Sequence, residues 1–221
     1  MDWGAIVKAS QEAFRVAVNE WINGARVQGG TVRGPSAVLT PGSIVSKVSI
    51  ESRMLQILEP SRAAPREIFA ALAKVLASAW NEWAGGFQIQ LPKAYPAFAA
   101  FPGNRAPLTP SVAAAPLSQG SSSGEAGLKA PSLANKLNAA VRVQAALGRQ
   151  PLDEKAIANL AKWVGESFDE WKNLVKLTGL VGQGDVPTFA PPYVPVGPVT
   201  AGENMSVSSP FAGPRFGKVV F

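Results

Sequence analysis

Apolar residues recur at helical spacing in four stretches of the chain. Ile6, Ser10, Ala13, Phe14, Ala17, Val18 and Trp21 fall on one face of a 3.6-residue period. Between 66 and 84 the stripe is denser, with Ile68, Leu72, Val75, Leu76, Ala79, Trp80 and Trp83. Pro65 precedes it and Glu67 follows in the first turn, a favourable helix start. A third helix is predicted over 152–176. Pro151 opens it, Asp153 and Glu154 stand in its first turn, and Lys172 and Lys176 lie near its end, a charge order that suits the helix dipole. A fourth is predicted over 132–147, with Ser132 as N-cap, Leu133, Leu137, Ala140, Val141 and Leu147 on its apolar face, and Gly148 as C-cap. Residues 43–58 give a mixed signal. Ile44, Val45, Val48 and Ile50 suit a strand, and Met54, Leu55, Ile57 and Leu58 suit a helix that ends before Pro60.

Between the helical stretches the chain changes character. Of its 40 Gly and Pro residues, 34 fall within 24–42, 84–131 and 179–217. Proline fixes φ and removes a donor, so these blocks read as extended arms rather than helix. The fold class expected is mainly α. Short amphipathic helices form two and a half tandem helical units, joined by long Pro/Gly-rich extended arms with room for short strands.

The three strongest helices align without gaps. Asn19-Glu20-Trp21, Asn81-Glu82-Trp83 and Asp169-Glu170-Trp171 close them at offsets of 62 and 150, and the apolar stripes stay in phase. The last two arms match at an offset of 91, where Pro96-Ala97-Phe98-Ala99 lies on Pro187-Thr188-Phe189-Ala190. The implied unit is a helix, a second helix ending in Asn/Asp-Glu-Trp, and an arm carrying Pro-x-Phe-Ala. On this reading 1–41 is a partial first unit without its leading helix. Residues 42–112 and 132–202 are the second and third units, 113–131 is a flexible Ser/Gly/Ala linker, and 203–221 is a docking tail. A unit of two helices buries little apolar surface alone, so the units should pack on one another or on a partner.

Composition then removes whole classes of chemistry. The 221 residues include no Cys and no His, which excludes thiol catalysis, disulfides, Cys/His metal sites and Ser-His-Asp arrangements. No apolar run approaches ~18 uncharged residues, and Met1 opens no secretion-signal pattern. A reducing, aqueous compartment is expected. The net charge of +6 is spread along the chain without a basic block. It suits a diffuse basic surface better than an arginine-rich nucleic-acid arm.

The residues that stand out read as structural. Glu20, Glu82 and Glu170 sit beside Trp near helix C-termini, where the dipole disfavours negative charge, so N–H donors from the following arm are expected to compensate. No second carboxylate accompanies them at a spacing fit for acid–base work. Trp21, Trp83 and Trp171 close the repeat helices, while Trp80 and Trp163 lie in the stripes, all placements that favour core packing over base stacking. Gly179-Leu180-Val181-Gly182-Gln183-Gly184 lacks the Lys-Ser/Thr of a P-loop. No catalytic residue, metal ligand or cofactor is expected. The two tyrosines, Tyr95 and Tyr193, both lie in arms.

What remains is a set of aromatic residues in stretches that cannot pack locally. Phe98, Phe101, Phe189, Tyr193, Phe211, Phe216 and Phe221 are the expected protein-binding residues, the last three docking on another subunit. A small helical body with long arms resembles in style the capsid, tail and connector proteins of viruses. That resemblance implies a non-enzymatic structural subunit of a bacteriophage virion, a minor capsid, connector or tail component assembled in the host cytoplasm. Its partners would be several copies of other structural proteins of the same assembly. A nucleic-acid-contacting internal virion protein and a cytosolic adaptor with Pro-rich arms are the alternatives.

Overall fold

The three in-phase stripes form the three longest helices of the computed structural model, which describes residues 2–61, 63–95, 105–147, 151–185 and 201–217. Helix α1 spans Trp3–Gly24, and Asp2 caps it by accepting a hydrogen bond from the Ala5 N–H. After α2 (Ile50–Leu58), capped by Ser49, comes α3 (Arg66–Gly86). Helix α4 spans Ala130–Leu147 and α5 spans Glu154–Leu174, the latter capped by Asp153. Ser132, the expected N-cap of the fourth helix, lies inside α4, because Pro131 fits the first turn and lets the helix start earlier. Gly148, its expected C-cap, lies outside the described residues.

The extended segments are strands. In chain order they are β1 (Arg26–Val27), β2 (Gly30–Arg33), β3 (Ser36–Leu39), β4 (Ile44–Val45), β5 (Phe87–Leu91), β6 (Arg105–Pro110), β7 (Ala115–Pro116), β8 (Ser121–Ser122), β9 (Lys176–Leu177), β10 (Leu180–Asp185), β11 (Ala201–Ser206) and β12 (Phe211–Ala212). Seven of them build one sheet in the order β6-β10-β11-β2-β3-β5-β8, antiparallel at every pairing. Two smaller ladders pair β1 with β4 and place β9 between β12 and β7.

The mainly α expectation is therefore corrected to a mixed α/β fold, with five α-helices and a seven-stranded sheet among the described residues. Nor do the units stand in tandem. Strands from the third arm (β10, β11) sit between those of the second (β6) and first (β2, β3), and β5 of the second arm follows on the far side. The physical reason is that every peptide N–H and C=O in a buried arm needs a partner, and a ladder supplies them for all arms at once. Strand β5 shows the resulting alternation, with Phe87, Ile89 and Leu91 buried and Gln88 and Gln90 exposed. Pro107 and Pro110 are tolerated because β6 is an edge strand.

The helix-to-strand junctions keep the offsets read from the sequence. Helices α1, α3 and α5 end at Gly24, Gly86 and Leu174, three residues after Trp21, Trp83 and Trp171. The next residues, Ala25, Phe87 and Val175, are extended and buried, and each turns its N–H back onto the last helical turn. The tryptophans converge on Trp80. Its ring lies 5.6 Å from Trp21, 5.0 Å from Trp83 and 5.4 Å from Trp171, and edge-on to Phe14 and Phe168. One continuous apolar core runs from Trp3 to Phe216.

Residues 113–131 are not a free linker. Leu117 and Leu128 are fully buried, and the Ser122 hydroxyl donates to the Trp83 carbonyl (2.7 Å), an acceptor in the last turn of α3. Gly124 passes so close to α3 that a Cβ there would stand 2.3 Å from the Glu82 carbonyl. The small residues that resemble a flexible spacer in composition are small because two backbones meet.

Candidate protein-binding surface

The geometry of the sheet brings the end of one undescribed segment beside both ends of another. In the ladder Asp185 of β10 lies opposite Ala201 of β11 on one side and Arg105 of β6 on the other. Residue 105 thus ends one undescribed segment, and residues 185 and 201 bracket the other, on three adjacent strands spaced about 4.8 Å apart. These segments, 96–104 and 186–200, are the ones that carry the two Pro-x-Phe-Ala sequences.

Tyr95 holds the chain at the entry to the first segment. Its hydroxyl lies 2.5 Å from Oδ1 of Asn204 on β11, and its N–H donates to the Pro35 carbonyl in the β2–β3 turn. The ring packs against Gly182 of β10, where a Cβ would approach it to 2.7 Å. Burial pushes the Tyr95 phenol above its ordinary range, so it stays neutral and keeps its proton for the Asn204 carbonyl oxygen. Sequence reading placed Tyr95 in an arm and missed this pin. The one available signal was a glycine, Gly182, inside a segment of alternating apolar residues.

Phe98, Phe101, Phe189, Tyr193 and Phe221 lie outside the described residues. The other two expected protein-binding residues turn inward. Phe211 sits on β12, half-buried, with its ring 5.5 Å from Trp171 and 6.4 Å from Trp21. Phe216 is fully buried and meets Phe14, Trp80 and Trp163 edge-on. The tail as far as Gly217 is thus part of the protein's own core, not a segment spread on another subunit. These rings pack into the aromatic cluster of α1, α3 and α5, a placement with no local trace in the sequence.

The acidic residue of each Asn/Asp-Glu-Trp triplet has a different environment. Glu20 takes a two-point hydrogen bond from Arg53 of α2, at 2.8 and 2.9 Å. Glu82 accepts from Lys136 of α4 at 3.1 Å and from the Ser78 hydroxyl at 2.9 Å, and these bonds hold its carboxyl below the usual range. Glu170 is exposed and forms no ion pair among the described residues. The compensation expected from arm N–H groups comes instead, for Glu20 and Glu82, from cations on the next helix. A side-chain cation reaches an exposed carboxylate that the buried backbone of an arm cannot. Asp169 pairs with Lys129, and Asn19 binds the backbone of Phe216.

Of the six tryptophans, Trp3 gives its N–H to the Pro151 carbonyl (2.9 Å), tying α1 to the start of α5. The indole N–H groups of Trp80, Trp83 and Trp171 are buried without an oxygen or nitrogen acceptor among the described residues.

No helix among the described residues is long and apolar enough to cross a membrane. Among the same residues no group of three His, Cys, Asp or Glu side chains is arranged to hold a metal ion. The chain matches no family model, no curated protein and no solved structure.

Proposed function

We propose that this chain is a structural subunit of a large protein assembly, and that the assembly is a bacteriophage virion in which it serves as a minor capsid, connector or tail component. It bridges neighbouring subunits through its two Pro-x-Phe-Ala segments and performs no catalysis. The observation that carries this reading is the placement of Arg105, Asp185 and Ala201 side by side at one end of the sheet. These three residues adjoin two segments with related sequences, 96–104 and 186–200, which hold Phe98, Phe101, Phe189 and Tyr193. A pair of matched, proline-bearing segments on one rigid edge suits repeated contacts with a multi-copy partner, since proline lowers the entropy lost on docking. The net charge of +6 adds attraction for an acidic partner surface.

The test is a full-length variant with Phe98, Phe101, Phe189 and Tyr193 all changed to Ser. Expressed with the genes of its source, the native chain should sediment with large particles and the variant should remain in the light fractions, with unchanged helical circular dichroism. A variant that still enters particles, or a native chain that never does, overturns the reading. Loss of particle association on nuclease treatment or with a modest rise in salt would instead point to nucleic acid as the ligand.

A further inference from the structure

Strand β5 carries an unpaired stretch along one edge. In an antiparallel sheet the N–H and C=O of one residue point to the same neighbouring strand, and successive residues alternate. A Cβ on Gly30 of β2 would lie 3.2 Å from the Val38 carbonyl oxygen, so the backbone groups of Val38 face β2. Those of Ala37 and Leu39 then face β5, where they meet Leu91 and Ile89. It follows that Gln88, Gln90, Pro92 and Ala94 aim their backbone groups away from β3. At one end of this row Gln88 pairs with Ser121 of β8, and its carbonyl oxygen would lie 3.1 Å from a Cβ on Gly120. At the other end the Ala94 carbonyl accepts the Val112 N–H at 2.8 Å. Between the two, the N–H and C=O of Gln90 and the C=O of Pro92 have no backbone partner among the described residues.

The segment that could close this edge bows away from it. From Val112 it runs into β7, which pairs with β9, then through a 3₁₀ turn at Leu117–Gln119, and it rejoins β5 only at Ser121. The space left beside Gln90 opens on both faces of the sheet. Toward the core lies a cavity of about 160 Å³ bordered by Leu91, Pro92, Ala113, Ala114, Leu177 and Leu180. On the exposed face lies one of about 340 Å³ bordered by Val38, Gln88, Gln119 and Ser121. Gln90 borders both, and no charged side chain among the described residues lines either.

We propose that this stretch of β5 is a docking site for a short, extended, uncharged peptide segment of a partner protein, which adds to the edge antiparallel to β5. The residue opposite Gln90 exchanges both backbone hydrogen bonds with it, and the residue opposite Pro92 donates to the Pro92 carbonyl. The alternation of faces then sets the side chains. The residue opposite Gln90 lies on the exposed face, beside the amides of Gln88 and Gln119 and the hydroxyl of Ser121, which suit a hydroxyl or amide. Its neighbours point toward the core, where the smaller cavity suits a side chain of about valine size. A charged side chain there would be desolvated without a counter-ion, so the segment is neutral. Gln88 and Ala94 lie six residue steps apart, about 20 Å, and four extended residues need about 13 Å. A longer partner segment bends away from the edge at both ends.

The experiment follows backbone amides of the full chain by nuclear magnetic resonance, with acetyl-Ser-Val-Thr-Val-amide as the probe. In the free chain the Gln90 amide should exchange with solvent at least ~100-fold faster than those of Ile89 and Leu91, which are bonded to β3. The peptide should shift the Gln90 resonance and slow its exchange. Methylating the threonine amide nitrogen removes the donor to the Gln90 carbonyl and should weaken binding about tenfold. Ala114→Trp, at an exposed position on the smaller cavity, should abolish binding and leave the circular dichroism unchanged. Slow Gln90 exchange in the free chain at every concentration would overturn the proposal by showing the edge already paired within the chain. Protection that grows with protein concentration would overturn it by assigning the edge to a second copy. Equal binding of the methylated peptide, or no response of Gln90 to millimolar peptide, would overturn it as well.

Discussion

The side chain of Asn19 binds both backbone groups of Phe216. Its Nδ2 donates to the Phe216 carbonyl at 3.0 Å, and its Oδ1 accepts from the Phe216 N–H at 3.0 Å. An amide side chain that mimics a strand partner in this way pins the tail to α1 across 197 positions of sequence. We expect Phe216→Ala to cost about 3–5 kcal/mol through the cavity it leaves in the aromatic core. Asn19→Ala should cost about 1–3 kcal/mol by leaving two partly buried backbone groups unmet. Urea unfolding of the purified variants checks both. Truncation before Pro210 should unfold the isolated chain, and a truncated protein with native stability would refute the inward placement of the tail.

Gly124 and Gly85 make a matched pair. Alanine at 124 would drive a Cβ to 2.3 Å from the Glu82 carbonyl, which is backbone and cannot move aside. We expect a loss of more than ~2 kcal/mol there, as in other overpacked sites. Alanine at 85 meets nothing within 4 Å and sits in the last turn of α3, so it should be neutral or stabilise by a few tenths of a kcal/mol up to about 1. Equal thermal midpoints for the two variants would show that residues 113–131 do not press on α3.

The Tyr95 phenol titrates above its ordinary range because it is buried. Its ionised form is favoured in the unfolded chain, so the associated stability is intact below ~10 and declines as pH rises past that value. Tyr95→Phe should remove this alkaline slope. At neutral pH it should cost about 1–3 kcal/mol, since the Asn204 amide, at a fully buried site, loses the hydrogen bond from the Tyr95 hydroxyl. Stability measured from pH ~8 to ~11 in both proteins decides the matter.

Glu82 behaves in the opposite sense. The bond from Lys136, and secondarily the one from Ser78, lowers its folded pKa below 4.5. The stability it contributes is therefore complete above the unfolded carboxylate value and is lost as pH falls through the lower folded one. Glu82→Gln should flatten the acid limb of the stability curve. Because the pair is half exposed to solvent, the effect at neutral pH should stay within a few tenths of a kcal/mol. Removing Lys136 instead should give the same flattening.

Periodicity in the sequence was enough to place α1, α3 and α5, because a helix is decided by residues three and four apart. The equivalence of the three helix ends could be read from the alignment of Asn19-Glu20-Trp21 with its two counterparts, although each helix runs three residues past the tryptophan expected to close it. The burial of all three tryptophans follows from the same stripes. The arms were different. Their Gly and Pro content marks them as non-helical but does not say what they pair with. Pairing of Gly202 with Val32, or of Arg105 with Asp185, joins positions far apart in the chain, and only the packed tertiary structure selects among the registers open to such weakly patterned segments. Composition likewise cannot separate a serine–glycine spacer from a serine–glycine close contact, as 113–131 shows. Nor can it tell whether an aromatic tail finds a partner molecule or its own core. Phe216 went inward because three helices, brought together by their tryptophans, leave a ring-sized space between Phe14, Trp80 and Trp163.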